Sequence, residues 1–590
     1  MRIYKSREEI AIPTDLNLTE LLHTSAHGDL PESHLVAKDS LTNRSITIGQ
    51  LRERAGRIAK GLRDGLAPAD QARWVVVLPN SVDFLELVHA ILWTGGVACP
   101  VNHALKAAEI GHGIAVARPD FVVAYGPVVP AVRAAVAVAA EKLAAQGVAW
   151  TTPEILTVVS RAAPEPDSHH HHHHHRHRHV PDDFLAAERL PVPHHADTRT
   201  RLATIHLSSG TTGEPKGVEL THHNFVANCH QLLARDRAVF APDARCVAFT
   251  PWAHIANTTV PLFLGPWAGM LHHAMPAYRF AEYVALVGSN RATVFQGVPS
   301  VVLQIANSDD DDNDNDNDDG NGNDTALART RAAFSCARVL NVGGALKPEL
   351  LARVLDKAPW RLNQVYGMTE AAGYVAYQSS GEAVAEGATG RLLPGIEACL
   401  KREGTGEDAP EGGPGELWLR GPNIARGYAF NAEADARGYP LPGWYNTGDV
   451  CTVDAATGAV SVVGRTKDLI KYKGFQIAPA ELEAHLNAHP HVLEAGVGAT
   501  WDEGRLTELP TAWVVLRDRL AAAPAARRAR ALRDVHRDVD RDVSGYKKLR
   551  GGVWQVARLP KNPTGKILRK QLVEMRDGLC SLDAEASAKL

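Results

Sequence analysis

One stretch constrains the fold more than any other. "WVVVLPNSVDFLELVHAILWTGGVACPVN", residues 74–102, reads as strand, loop, helix, strand. The apolar run Val75–Leu78 stops at Pro79-Asn80, and the spacing of Phe84, Leu85, Leu87, Val88, Ile91 and Leu92 predicts a helix. A strand that is apolar at successive positions has no face for water, so its sheet must be covered on both sides. The alternation recurs around "TVFQGVPSVVLQIA" (293–306) and "RVLNVGGALKPELLARVL" (338–355). Repeated strand–helix units predict an α/β protein with mixed sheets and flanking helices. At 590 residues the chain is too long for one core, so a second domain is expected.

The boundary falls after "GAVSVVGR" (458–465), where the pattern changes. A helix is predicted from Pro479, since a proline at the first helical position loses no hydrogen bond. A strand "TAWVVL" (511–516), an Arg/Asp-rich helix over about 525–543 and "GGVWQVARLPKNPTGK" (551–566) follow. The expected division is a large N-terminal domain, 1–466, and a small, mobile α+β C-terminal domain, 467–590. The first carries two low-complexity stretches, the His-rich 169–179 and the Asp/Asn-rich 308–324. Neither can bury an apolar face, so both are read as solvated loops.

Bulk properties exclude several classes. The net charge is only −4, and the Asp/Asn run supplies nine aspartates toward it; this is not a dedicated nucleic-acid binder. Seven scattered cysteines without a C-x-x-C pair fit a reducing compartment and no structural zinc. "MRIYKSREEIAIP" has no apolar core for a secretory signal, and no segment is apolar enough to predict a membrane span. Ala588-Lys589-Leu590 is a close variant of the S-K-L peroxisomal address, which predicts a peroxisomal location and an import receptor as partner.

The chemistry concentrates in "LSSGTTGEPKGVELTHHN" (207–224), with five hydroxyl residues, three glycines and Lys216. Glycines let backbone N–H groups converge on an anion, hydroxyls add donors, and Lys216 adds charge, so the loop is read as a phosphate cradle. It is not G-x-x-x-x-G-K-[ST], because Lys216 follows Pro215 and precedes Gly217. The flanking "ATIHLS" and "KGVEL" both read as strands, so no helix terminus is predicted beneath the phosphates. "PWAHIAN" (251–257), "GGALKPEL" (343–350), "QVYGMTEAAG" (364–373), "WYNTGDV" (444–450), "GRTKDLIKYKGFQIAPAELE" (464–483) and "PKNPTGKILRK" (560–570) follow in order.

This series resembles the adenylate-forming superfamily of acyl-CoA synthetases, peptide-synthetase adenylation domains and luciferases, and within it the 4-coumarate–CoA ligase branch. The resemblance spans about residues 20–575. It implies an ATP-dependent acid–CoA ligase acting on a small-molecule carboxylic acid, aromatic or medium-chain, with ATP, Mg²⁺ and coenzyme A. A luciferase-like oxygenase and a catalytically inactive adenylate-binding paralogue are the alternatives.

By that resemblance Ser208, Ser209, Gly210, Thr211, Thr212, Gly213 and Lys216 form the β/γ-phosphate loop. Gly344, Ala345, Tyr366 and Gly367 surround adenine, Thr369 contacts phosphate, and Glu370 is the Mg²⁺ ligand. Asp449 accepts from the ribose, with Arg465 as its companion. Lys566 is the catalytic lysine bridging carboxylate and α-phosphate, and Lys467 is the hinge. Lys471 and Gln476 act near the acyl-adenylate; Lys473 and Gly474 lie on the CoA path. His254, Ala256, Gly343, Ala371, Ala372 and Gly373 line the acyl pocket, whose small walls leave room for a bulky acid. Two departures stand out: Ala253 replaces the usual aromatic before His254, and Asn446 stands where many relatives have histidine.

Overall fold

The computed structural model describes residues 1–159, 178–208, 215–297, 299–306, 329–343, 348–357, 360–382, 388–465, 468–472, 475–503, 507–543, 545–561 and 567–582. Its largest sheet has seven strands, in the order Gly427–Tyr428, Lys216–Thr221, Leu202–Ser208, Val97–Pro100, Arg73–Val77, Phe121–Tyr125 and Glu154–Val158. The last five are mutually parallel, and the first two add antiparallel edges.

The predicted burial of residues 74–77 is what builds this sheet. Trp74 and Val76 pack on one face with the helices Ile48–Leu66 and Val82–Trp93, while Val75 and Val77 pack on the other against Ala107–Ala117 and Val129–Ala145. Alternate residues point to opposite faces, so a strand apolar throughout can serve two helix layers at once. Every residue of the helix Val82–Trp93 is buried, and its start is held by the Ser81 side chain, which accepts from the Phe84 N–H.

A five-stranded sheet follows, with Val294–Gly297, Val339–Gly343 and Arg361–Tyr366 parallel and Ala376–Tyr377 and Arg391–Leu392 antiparallel. The helices Pro299–Ala306 and Pro348–Leu355 both begin on proline. Another five-stranded sheet contains Tyr445–Val453 and Val460–Arg465. Beyond it a separate apolar core gathers Ile470, Leu482, Val497, Val514, Leu532 and Val553. It joins the three-stranded sheet of Val492–Asp502, Thr507–Leu516 and Val553–Gln555 to the helices Pro479–Ala488 and Ala525–Asp542. The fold is thus mixed α/β with a large N-terminal part and a small α+β C-terminal part. None of the seven cysteines is in a disulfide. No helix among the described residues is long and apolar enough to cross a membrane.

Candidate active site

The two strands flanking the expected phosphate cradle pair as an antiparallel hairpin. Ser208 ends one strand opposite Lys216, which begins the next, as the two strand-like flanks predict. A helix starts only at His222, capped by Thr221 and Asn224. Ser208 is buried, and its Oγ has no hydrogen-bond partner among the described residues. A buried hydroxyl left unpaired beside a glycine-rich loop fits an anion as the missing acceptor.

Lys216 sits over the Tyr428 ring at 4.9 Å, a cation–π contact brought about by the antiparallel pairing of Gly427–Tyr428 with Lys216–Thr221. The Tyr428 hydroxyl donates to Glu370 Oε1 at 2.9 Å and lies 3.2 Å from the Tyr445 hydroxyl. One ring therefore links the loop lysine to the expected metal-binding carboxylate. Burial, with Glu370 adding to it, raises the Tyr428 pKa, so the phenol stays a donor.

Residues 366–375 turn back on themselves. Val375 N–H donates to the Tyr366 carbonyl at 2.9 Å, and Gly373 N–H to the Met368 carbonyl at 3.2 Å. A Cβ on Gly367 would meet the Gly373 carbonyl oxygen at 1.8 Å, so no other residue fits there. Ala372 and Gly373 have φ of +51° and +116°, a left-handed excursion at the tip of the loop. Buried Asn423 donates to the carbonyls of Ala371 and Tyr374, at 2.9 and 3.0 Å, and Asn228 donates to the Tyr374 carbonyl at 3.0 Å. Amides thus replace the hydrogen bonds that the turn cannot make for itself.

This turn sets Tyr366 against Asp449, whose Oδ2 accepts from the tyrosine hydroxyl at 2.6 Å. Burial and the Asp449 charge push the Tyr366 pKa well above its ordinary value. Asp449 is paired directly with Arg465 across two antiparallel strands. The adenine tyrosine and the two ribose residues of the sequence reading therefore lie together.

Three of the residues expected to line the acyl pocket, Ala256, Ala372 and Gly373, meet as well. A Cβ on Gly373 would lie 3.6 Å from the Ala256 Cα, and Thr259 Oγ1 donates to the Ala372 carbonyl at 2.6 Å. Thr259 belongs to a π-helical turn, Thr258–Leu264, that contains Pro261. Such widened turns recur at functional sites. His254 precedes it; the residue is exposed, yet the protein atoms around its ring lower its pKa. Gly343 ends the strand Val339–Gly343, and Thr369 lies in a short 3₁₀ turn with Glu370 and Ala371.

Lys471 and Gln476 are register partners in the hairpin Ile470–Tyr472 and Phe475–Ile477. Ser209–Gly213, Gly344, Ala345, Lys467, Lys473, Gly474, Lys566, Ala588–Leu590, most of the His-rich stretch and all of the Asp/Asn-rich stretch lie outside the described residues. Sequence reasoning missed Tyr428, Tyr445, Asn228 and Asn423. The first two are ordinary aromatics and the amides are ordinary polar residues; only their hydrogen bonds single them out.

A buried hydroxyl and a lysine at two paired strand ends, a carboxylate in a 3₁₀ turn and an aspartate within a strand are equipment expected of a nucleotide-binding α/β enzyme. The chain matches the AMP-binding enzyme model over residues 28–429 and the AMP-binding enzyme C-terminal domain over 481–566. It belongs to the AMP-binding enzyme family. It is 30% identical over 580 residues to 4-coumarate–CoA ligase 5 of Oryza sativa subsp. japonica, covering 97% of this chain and 96% of that relative. It is 28% identical over 589 residues to peroxisomal OPC-8:0-CoA ligase 1 of Arabidopsis thaliana, with 97% and 96% covered. Among solved structures it is similar to ATP-bound MatB from Rhodopseudomonas palustris, at TM-score 0.77 and 26% identity, covering 95% of this chain and 99% of MatB.

Proposed function

We propose that this enzyme is an AMP-forming acid–CoA ligase. A carboxylate attacks the α-phosphate of ATP, pyrophosphate leaves, and the acyl group of the acyl-AMP then passes to the CoA thiol, releasing AMP. A free carboxylate resists attack because a dianion would form; joined to AMP it has a good leaving group. The observation that carries this reading is the linkage of Lys216 to Glu370 through Tyr428, beside Tyr366 and Asp449. Two anions must meet, and such sites concentrate cations and donors where they do. The CoA-ligase names of the relatives support the second half.

Glu370 would hold a magnesium ion, a hard cation suited to carboxylate oxygen, which supplies charge neutralisation at the phosphates. Lys566 bridges carboxylate and α-phosphate; Lys467 is the hinge of a division at 466/467. The face carrying Lys471, Lys473, Gly474 and Gln476 then admits CoA. Ala256, Ala371, Ala372 and Gly373 are small, which favours an aromatic acid of the arylpropenoate or arylacetate kind, or a medium-chain fatty acid.

The test is pyrophosphate release across aromatic and aliphatic acids, with and without CoA. Acid-dependent pyrophosphate and CoA-dependent AMP release are expected; no pyrophosphate from any acid would leave only an adenylate binder. The peroxisome is proposed as its compartment, from Ala588-Lys589-Leu590 and with the peroxisomal relative in support. A tagged chain lacking those three residues is expected in the cytosol, and unchanged peroxisomal puncta would refute the assignment.

A further inference from the structure

We propose that His112 is a positioning residue for the ATP step: its imidazole, oriented by Lys142, holds the strand end that presents Lys216 to the triphosphate. This rests on the acid–CoA ligase reading and deepens it.

Lys216 is the first residue of its strand and pairs with Ser208, the last residue of the strand before it. The end of a hairpin ladder is supported from one side only and opens first. The helix Ala107–Ala117 supplies the other support, at three points. A Cβ on Gly113 would meet Leu207 Cδ1 at 2.8 Å, so the helix backbone lies close against the residue before Ser208. A Cβ on Gly217 would meet Val116 Cγ1 at 2.6 Å, just past Lys216. Just before Lys216, His112 Nε2 lies 2.6 Å from the Pro215 carbonyl oxygen. His112 and Val116 are about one helical turn apart and share a face, so one stripe of the helix grips both neighbours of Lys216. The Lys216 side chain turns to the opposite side of its strand, over the Tyr428 ring.

The partners at both ends of the imidazole fix its tautomer. Lys142 Nζ lies 2.8 Å from His112 Nδ1, and an ammonium has only protons to give. A carbonyl oxygen only accepts. Lys142 therefore donates to Nδ1, and Nε2 carries the ring proton and donates it to the Pro215 carbonyl. Lys142 belongs to the helix Val129–Ala145, which shares an apolar layer with Ala107–Ala117. Two helices thus reach the strand end through one neutral ring.

The chemistry makes this support specific to one half-reaction. Lys216 faces the β- and γ-phosphates, which are present in ATP and absent from acyl-AMP. A lysine that drifts with its strand end neutralises the triphosphate less well, since such stabilisation depends on charges already in place. Transfer of the acyl group to CoA needs no such charge at that position.

The experiment uses the full-length enzyme and an acid that it turns over. Pyrophosphate release gives kcat and KM for Mg-ATP, and thioester formation from supplied acyl-AMP isolates the second half. His112→Leu is expected to raise KM for Mg-ATP by about 3- to 10-fold, the weight of one partly exposed hydrogen bond, and to leave the second half at the wild-type rate. The amide of His112→Gln can accept from Lys142 and donate to Pro215, so it is expected to recover most of that loss. Lys142→Met is expected to reproduce a smaller part of it. Should His112→Leu fail to fold, Lys142→Met against wild type decides the matter. An unchanged KM for Mg-ATP, an equal loss in both half-reactions, or a glutamine no better than leucine would overturn the inference while leaving the ligase reading intact. No pyrophosphate from any acid with the wild-type enzyme would overturn both.

Discussion

Tyr428 carries no charge, yet it touches the two charged residues expected to face the phosphates: Lys216 over its ring and Glu370 at its hydroxyl. Tyr428→Phe keeps the ring and removes the donor. Glu370 then loses a hydrogen bond in a buried setting, an effect of about 1–2 kcal/mol. The expected outcome is a kcat/KM for Mg-ATP lower by about 10-fold with a slightly lowered Tm, measured by steady-state pyrophosphate release and scanning fluorimetry. Lys566 is the complementary case, a residue read from sequence order. Lys566→Ala is expected to slow acyl-AMP formation by about 100- to 1,000-fold, as when one donor to developing charge is removed. Thioester formation from supplied acyl-AMP should survive; equal loss of both half-reactions would mean that its role is misassigned.

Among elements, the folded-back loop 366–375 does most to shape the site. Its geometry depends on Gly367, because backbone, which cannot yield as a side-chain tip can, occupies the Cβ position. Gly367→Ala is expected to dislodge Tyr366 and Glu370 together. Scanning fluorimetry should then show a lower Tm and the loss of stabilisation by ATP. Gly381→Ala is the control, since nothing lies within 4 Å of its added Cβ. The motif "YGMTEAAG" announced this loop in the sequence, and the strand–loop–strand setting of Lys216 was equally legible. The amides of Asn228 and Asn423 that pin the loop were not. They come from residues 146 and 49 positions away from Tyr374, and no local pattern marks a partner at that distance.

At the scale of the whole molecule, buried neutral histidines set the response to acid. Burial lowers His89 and His272 to about 4, and His206 and His222 to about 3, from 6.5. The unfolded chain takes up these protons near pH 6.5 and the folded chain does not. Their contribution is therefore complete above pH 6.5 and is lost as pH falls toward 4 and 3. Each can remove up to about 1.4 kcal/mol per pH unit in that window. Tm is expected to drop steadily from pH 6.5 to 4.5, and less steeply in His222→Gln; a flat profile would show that these rings are solvated. The sequence by itself determined the alternating strands and helices, the paired strands around Lys216 and the order of the motifs, because hydrophobic period and glycine placement act over a few residues. Only the tertiary structure decided that Tyr428 would couple lysine to carboxylate and that distant amides would brace the loop. Those outcomes depend on side chains meeting across sheets, where contact follows from packing and not from spacing along the chain.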